Sequence, residues 1–423
     1  MGGKTIWTIM MDNCLPEHGP HNRHFWFAKH LKDRGYNPVV FVASRERGNA
    51  IQMIEDGTPF KVDDSYGFPF VYVRIKDYGE SMKKRILAIF EFHVRLNKYA
   101  DVFAEMFGRP DVILGSNGYP LSPWLANRFA RRYHAASICE VCDLWPLSLE
   151  EYGVIKKSGL VAKMMYVLER KNYEQADAVV FSMEGGLRYI EDRGWDVAHG
   201  GRIEPAKVHH INNGVDLKAF DANLARAVSA NAGGQASAMA TIVYAGSMQR
   251  INNVEYLVDV AVHLRHEPIR FIFYGAGEDA ERLRAKVSDL GLSNVHFPGA
   301  IDKRDIPAAL NEASLLLMYS LPEEGVAKYG MSQNKLFDYL ASGRPVVSNL
   351  PSDFSIINRY ECGVERSFAG SDDFAGQIMQ MLSDKDSMKR WGENARRVAE
   401  LYSFDNHTNH LIGIIEEITK EEQ

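Results

Sequence analysis

The sequence predicts an α/β protein of two domains, each built on a parallel sheet. Short apolar strand patterns alternate with amphipathic helix patterns along the chain, which is the signature of parallel strands joined by crossover helices. The series occurs twice, before and after an Ala-, Gly-, Ser- and Asn-rich stretch at 219–239 that reads as a linker without apolar period. At 423 residues the chain exceeds one ordinary domain and supplies two cores. The predicted organisation is a first domain at 1–218, the linker at 219–239, a second domain at 240–402 and a closing helix at 403–423.

In the first domain, strand Thr5–Met11 is followed by helix His24–Arg34 and strand Pro38–Ala43. Between the first two lies the Gly/Pro/His-rich loop Leu15–His24, at the carboxyl end of a strand, where open α/β sheets bind ligands. It lacks GxGxxG, which argues against a dinucleotide. Residues Glu80–Phe103 read as one helix in which Lys83, Lys84, Arg85, Arg95 and Lys98 alternate with apolar positions. It suits either an anionic membrane surface or a core helix with a solvated basic face. Strand Asp111–Gly115, helix Pro123–Tyr133 and strand Ala136–Val141 lead into Cys139-Glu-Val-Cys-Asp-Leu-Trp-Pro146. Glu140 and Asp143 point into one cleft if that strand ends near Cys142. The CxxC pair falls three apart on a strand, on opposite faces, and reads as buried thiols rather than a metal site. Helix Leu160–Gln175, strand Ala178–Ser182, a turn carrying Glu184, and the short strand and polar turn of His209–Asp216 complete this half.

The second series opens with strand Thr241–Ala245, turn Gly246–Asn253 and helix Val254–Arg265, whose Val254, Leu257, Val258, Ala261 and Leu264 form one apolar stripe. Strand Arg270–Tyr274 runs into Gly275-Ala-Gly-Glu-Asp279. Gly275 and Gly277 either admit a nucleotide closely or make a tight turn. After strand Leu315–Met318 comes Lys328–Val347, where Ser332 reads as the cap of a short helix that Gly343 ends and Pro345 follows with a strand. Lys335 and Asp338 share one side of this helix. A helix start with a nearby lysine suits phosphate, and a carboxylate further along can accept from sugar hydroxyls.

Composition excludes other classes. Residues 1–216 carry 28 basic against 27 acidic side chains and the remainder 21 against 28, so neither half has the basic surplus of a nucleic-acid binder. Four cysteines form no disulfide framework in a chain this long. The N-terminus runs on as a strand rather than a signal segment, and no apolar run reaches the ~20 residues of a membrane span. The expectation is a cytoplasmic protein.

Five stretches, in order, resemble glycosyltransferase family 4 of the GT-B fold: the Gly19–Arg23 loop, Glu140–Pro146, Ser182–Gly186, Asn212–Asp216 and Lys328–Val347. The branch resembled includes the bacterial N-acetyl-L-fucosamine transferases of O-antigen and capsule assembly. The resemblance implies two Rossmann-like domains with parallel sheets facing across a cleft, and C-terminal helices returning to the first domain. It implies retaining transfer of a hexosyl or N-acetylhexosaminyl group from a nucleoside-diphosphate sugar, UDP foremost. The acceptor would be a growing or polyprenyl-diphosphate-linked saccharide at the inner face of a membrane, and no metal or cofactor is required. The donor site would comprise Arg250, Asn252, Gly275, Gly277, Glu278, Ser332, Asn334, Lys335 and Asp338, with Arg250 and Lys335 on the diphosphate and Asp338 on the ribose. Gly19, Arg23, His24 and Glu184 would face the acceptor, and Glu140, Asp143, Glu324 and Lys335 would act in the chemistry. The family's glutamate pair, eight apart, falls here on Gly330 and Asp338, so Glu323 or Glu324 replaces the first. Its Arg and Lys after the first strand of the second domain fall on Ser247 and Asn252, leaving Arg250 as the nearest cation. Two alternatives share the architecture: a nucleotide-sugar epimerase, and a catalytically inactive nucleotide-sugar-binding scaffold of a polysaccharide assembly complex.

Overall fold

The computed structural model describes residues 3–420 except 13, 18, 20–21, 47–50, 80, 231–238, 322–323, 331 and 351, and leaves the side chains of Ala230 and Glu324 undescribed. The chain divides into two compact units, Met1–Asn212 with Phe404–Gln423, and Asn213–Ser403.

The first unit is organised on eight strands: β1 (Thr5–Ile9), β2 (Asn37–Ala43), β3 (Phe60–Asp63), β4 (Phe70–Val73), β5 (Val112–Ser116), β6 (Ala136–Val141), β7 (Ala178–Phe181) and β8 (Val208–His210). Their spatial order is β3-β4-β2-β1-β5-β6-β7-β8. Every pair is parallel except the antiparallel edge pair β3–β4. That hairpin is absent from the sequence reading because Pro59, Gly67 and Pro69 break its apolar run. The central strands are buried on both faces, as parallel strands covered by helices must be. On one face Phe92, Leu96, Phe103, Leu125 and Phe129 pack against Trp7, Phe41, Val71 and Ile113. On the other, Phe27 and Leu31 join Leu411 and Ile415 of the last helix, Phe404–Lys420, over Ile6, Leu114 and Ile138. The rings of Phe27 and Phe404 meet edge to face at 5.7 Å. Tyr36 donates its hydroxyl to Glu416 at 2.9 Å.

The second unit carries β9 (Ala240–Ala245), β10 (Ile269–Tyr274), β11 (Val295–Gly299), β12 (Leu315–Met318), β13 (Val346–Ser348) and β14 (Gly363–Glu365), all parallel. The order β11-β10-β9-β12-β13-β14 runs outward in both directions from β9 and β12. It is the doubly wound Rossmann order, with its switch point at the carboxyl ends of those two strands.

Two sequence expectations change. The helix expected over Glu80–Phe103 is two, Met82–Lys98 and Ala100–Phe107, hinged at Tyr99; Glu80 lies outside the described residues. The stretch read as a linker from 219 begins as a helix, Leu217–Ala230. Asp216 starts it by accepting from the Ala219 N–H at 2.8 Å. Leu217 and Phe220 pack into the core of the second unit. Alanine-rich composition hid a sequence that is helical because alanine is the best helix former. Residues 231–238 lie outside the described residues.

One buried carboxyl makes the stability of the first unit depend on pH. Glu169 is buried and accepts from the hydroxyls of Tyr173 at 2.8 Å and Tyr189 at 3.0 Å. Burial, only partly opposed by these donors and Arg193, pushes its carboxyl from 4.5 up to about 8. Unfolded, the group loses its proton near 4.5, so the folded state holds one proton more within that window. Stability therefore falls as pH rises from about 4.5 to about 8, by at most about 1.4 kcal/mol per pH unit. Glu169→Gln is expected to flatten this slope in chemical denaturation at pH 5 and pH 8. Equal losses in the two proteins would show that Glu169 is not the group responsible.

Candidate active site

In the second unit, two glycine-bearing turns leave the carboxyl ends of β9 and β10 and lie against each other. Gly275 and Gly277 adopt φ of 145° and 158°. A Cβ at Gly275 would stand 1.8 Å from the Gly246 carbonyl oxygen, and one at Gly277 would stand 2.3 Å from that of Met248. The Gly246 N–H donates to the Tyr274 carbonyl at 3.0 Å and the Met248 N–H to that of Ala276 at 2.8 Å. These glycines are thus required by the protein's own neighbouring turn.

That packing sets the walls around Lys335, in the second position of helix Asn334–Ala341. The Tyr339 hydroxyl of the same helix accepts from the Ala245 N–H at 2.8 Å and ties the helix to the end of β9. Lys335 Nζ donates to Asn252 Oδ1 at 3.0 Å and to the Tyr244 hydroxyl at 3.3 Å, and lies 4.7 Å from the centre of the Tyr244 ring. Asn252 is oriented for this because its Nδ2 donates to the Ser247 hydroxyl at 2.9 Å and carbonyl at 3.1 Å. The lysine tip is enclosed by protein, and no carboxylate pairs with it among the described residues. Burial pushes its ammonium down to about 7.

The start of this helix differs from the expectation. Ser332 does not cap it. Its hydroxyl accepts from the Asn213 N–H at 3.0 Å and its carbonyl from Asn213 Nδ2 at 2.6 Å. Gln333 precedes the first turn in extended conformation and its side chain makes no cap hydrogen bond. Met331 lies outside the described residues. Asp338, expected on a ribose, is ion-paired with Lys303. Gly330 has φ 89°, and a Cβ there would meet that of Phe354 at 3.2 Å, so backbone and packing both favour glycine where the family has glutamate. Glu324 begins the short helix Glu324–Ala327; its side chain, like Glu323, lies outside the described residues. Arg250 is exposed in a 3-10 turn, and its N–H reaches the exposed Glu278 at 3.4 Å.

In the first unit the structure joins Arg23, His24 and Glu140. Glu140, 1% exposed at the end of β6, accepts from Arg23 Nε at 2.9 Å and meets His24 Nε2 at 2.5 Å. Burial alone would raise its carboxyl, but the charges of His24 and Arg23 outweigh that and hold it well below the usual range. Arg23 also donates to the carbonyls of Ile211 and Asn212 and lies 4.7 Å over the Phe27 ring. Arg23 and His24, expected to face the acceptor, and Glu140, expected to act in the chemistry, are buried together in one network that joins loop ends. Asp143, by contrast, is exposed, on a turn that Asn117 clamps. Asn117 Oδ1 accepts from the Cys142 N–H at 2.8 Å and its Nδ2 donates to the Asp143 carbonyl at 2.7 Å. Gly19 accepts from Asn22 Nδ2 at 2.9 Å, and Glu184 is half-buried in the turn before helix Gly186–Asp192.

A further cluster was invisible in the sequence. Buried Asp12, just beyond β1, accepts from the Tyr119 hydroxyl at 2.8 Å, which in turn accepts from Arg85 Nη2 at 2.6 Å. Topology alone brings them together. Cys139 and Cys142 are free thiols, and burial pushes both upward in pKa. Among the described residues no group of three or more His, Cys, Asp or Glu side chains is placed to hold a metal ion, and no helix is long and apolar enough to cross a membrane.

Residues 18–214 match the family model described as glycosyl transferase 4-like domain, and residues 240–384 match that of glycosyl transferases group 1. A sequence search of curated proteins finds no match. Among solved structures, sucrose-phosphate synthase from Thermosynechococcus elongatus is similar with a TM-score of 0.72 at 16% identity, over 99% of this chain and 100% of that one. HepE of Anabaena, in complex with UDP and glucose, gives 0.67 at 13% identity, over 98% and 100%. WaaG, a glycosyltransferase involved in lipopolysaccharide biosynthesis, gives 0.65 at 14%, over 97% and 99%. At these identities the structural likeness is one of fold. The family models carry the assignment: together they take in most of both units, and the chain belongs to the family 4 glycosyltransferases of GT-B fold.

Proposed function

We propose that this chain moves a hexosyl or N-acetylhexosaminyl group from a UDP-sugar, with retention, to a growing or polyprenyl-diphosphate-linked saccharide of a bacterial surface polysaccharide. The observation that carries the donor half is Lys335, an enclosed cation with no acidic partner among the described residues, at a helix start that Gln333 does not cap, beside the switch point of a Rossmann sheet. HepE, bound to UDP and glucose, and WaaG, acting in lipopolysaccharide biosynthesis, support the donor class and the pathway class. The resemblance to the N-acetyl-L-fucosamine transferase branch supports an amino-sugar donor.

As the bond from the anomeric carbon to the diphosphate breaks, charge grows on the departing oxygen. Lys335, the first-turn N–H groups and Arg250 stabilise it, with no metal or cofactor needed. Asp338 exchanges Lys303 for the ribose hydroxyls, and Glu324 serves as the carboxylate lost at Gly330. The acceptor hydroxyl attacks on the face the diphosphate leaves and passes its proton to that diphosphate. Asp143 orients this hydroxyl, while Glu140, Arg23 and His24 position the loops around it.

The test is turnover of the purified chain with a panel of nucleotide sugars and synthetic polyprenyl-diphosphate saccharides, with the anomeric configuration of the product read by NMR. One UDP-sugar should be consumed only when acceptor is present, with UDP released and configuration retained. Product formed without acceptor or UDP release would identify an epimerase. Nucleotide-sugar binding without any turnover would identify a scaffold.

A further inference from the structure

An open cavity of about 530 Å³ lies at the amino-terminal edge of the second sheet, away from its switch point. Ser314 stands just before β12 and Arg344 just before β13. The facing wall is the helix Lys385–Leu401, which contributes Lys389, Glu393 and Arg396.

Backbone contacts fix these walls. Gly343, at φ 66°, turns the chain out of helix Asn334–Ala341 in the left-handed region that favours glycine. A Cβ on Gly392 would stand 2.4 Å from the Gly343 carbonyl oxygen, so only glycine lets the facing helix approach this closely. Arg396 Nη1 donates to the Ala341 carbonyl at 2.9 Å, and its Nη2 to Asp221 at 2.6 Å, which holds the two helices together beside the cavity. Ala395 and Val398 of the same helix are buried with Leu340 and Val346.

Arg344 is the feature that this packing does not explain. It is half-buried, and its Nη2 donates to the Asn311 carbonyl and to Asn311 Oδ1 at 3.3 Å, both neutral acceptors. Among the described residues its Nε and Nη1 make no hydrogen bond, and no carboxylate pairs with it. Burial lowers its pKa from the ordinary value. A position that served packing alone would be less costly with an uncharged side chain. Further donors line the same cavity. Ser314 Oγ accepts from the Thr241 N–H at 3.3 Å, and its own hydrogen has no acceptor among the described residues. Lys389 is exposed and only loosely paired with Glu393, at 3.9 Å. Glu393 is the one carboxylate among the described residues that line the cavity, against three cations.

The donors select the ligand class. A guanidinium fork matches two oxygens of either a carboxylate or a phosphate. A carboxylate would then be filled, whereas a phosphate monoester has a third oxygen for Ser314 and Lys389 and a second charge to balance the surplus of cations. The volume leaves room for a small organic group beyond the phosphate. We infer that this cavity binds the phosphate group of a small phosphorylated metabolite, held by Arg344 with Ser314 and Lys389. Lys335 stands at the other end of helix Asn334–Ala341, whose eight residues span about 12 Å, so this is a second anion site. The proposal goes beyond the transferase reading and does not depend on it, because neither donor nor acceptor enters it.

Calorimetric titration of the full chain with inorganic phosphate and with glycerol 3-phosphate tests it, at constant ionic strength maintained with chloride. Carrying Lys335→Ala throughout removes the other enclosed cation as a source of binding. Saturable binding of both probes is expected. Arg344→Gln should weaken it by about tenfold or more, and Lys389→Glu, at an exposed position, by about fivefold. The Lys389 variant keeps the test decisive if Arg344→Gln fails to fold. Absence of binding by both probes, or affinity unchanged by the variants, overturns the proposal. So does displacement of either probe by chloride at equal concentration, which would reduce the effect to general screening.

Discussion

Lys335→Ala is expected to lower kcat/KM by about 10²–10³ while leaving the protein folded, the usual consequence of removing one donor from a site where anionic charge develops. The structure gives the residue no other employment. Its bonds go to a neutral amide and a phenol, and removing an enclosed amine relieves desolvation rather than breaking an ion pair. Burial holds the free amine near pH 7, and a bound diphosphate favours its protonated form. Nucleotide binding should therefore take up a proton above that pH. Affinity should be highest at and below about pH 7 and fall by up to tenfold per pH unit above it. Calorimetry at pH 8 in buffers of different ionisation heat should show the uptake in the native protein and not in Lys335→Ala. If the variant transfers sugar as well as the native chain does, Lys335 is not the diphosphate contact.

Much of the scaffold around that lysine was legible in the sequence, because strand periods and Gly/Pro punctuation report local geometry. The helix following Lys328, the turns after β9 and β10 and the central strands of both sheets were found within a residue or two. What escaped depends on distant partners. Ser332 looked like a cap because serine before a helix usually is one; it is diverted by Asn213, 119 residues away. Asp338 looked available for a ribose and is paired with Lys303. Gly275 and Gly277 carried a true signal of close backbone approach, but a sequence does not say whether the approaching group is a nucleotide or, as here, the carbonyls of Gly246 and Met248. The helix Leu217–Ala230 was missed for a different reason. Leu217, Phe220 and Leu224 recur at helical spacing, but the alanines between them read as linker composition, and packing of Leu217 and Phe220 holds the helix in place.

Glu140→Ala is expected to destabilise the first unit by about 3–5 kcal/mol, because deleting one partner of a buried ion pair strands the other charge. Among the described residues, the Arg23 guanidinium would keep the carbonyl acceptors of Ile211 and Asn212 and its contact with Phe27. The same network predicts the direction of the acid response. The Glu140 carboxyl is held below its ordinary 4.5 by His24 and Arg23 against the cost of burial, so its contribution is present above pH 4.5 and is lost as pH falls from there toward its folded value. Chemical denaturation of the two proteins at pH 7, with nucleotide binding measured alongside, separates the roles. A stability loss with nucleotide affinity intact in the folded fraction is the signature of a positioning residue. Native stability with transfer abolished would instead return Glu140 to the chemistry. The structural reading is favoured because one carboxylate at the end of β6 holds the start of helix Arg23–Asp33, which in turn grips the carbonyls that follow β8. A single buried charge thus fixes loops from separate strand ends, and its removal should loosen the loop at Gly19 and the turn at Asp143 together.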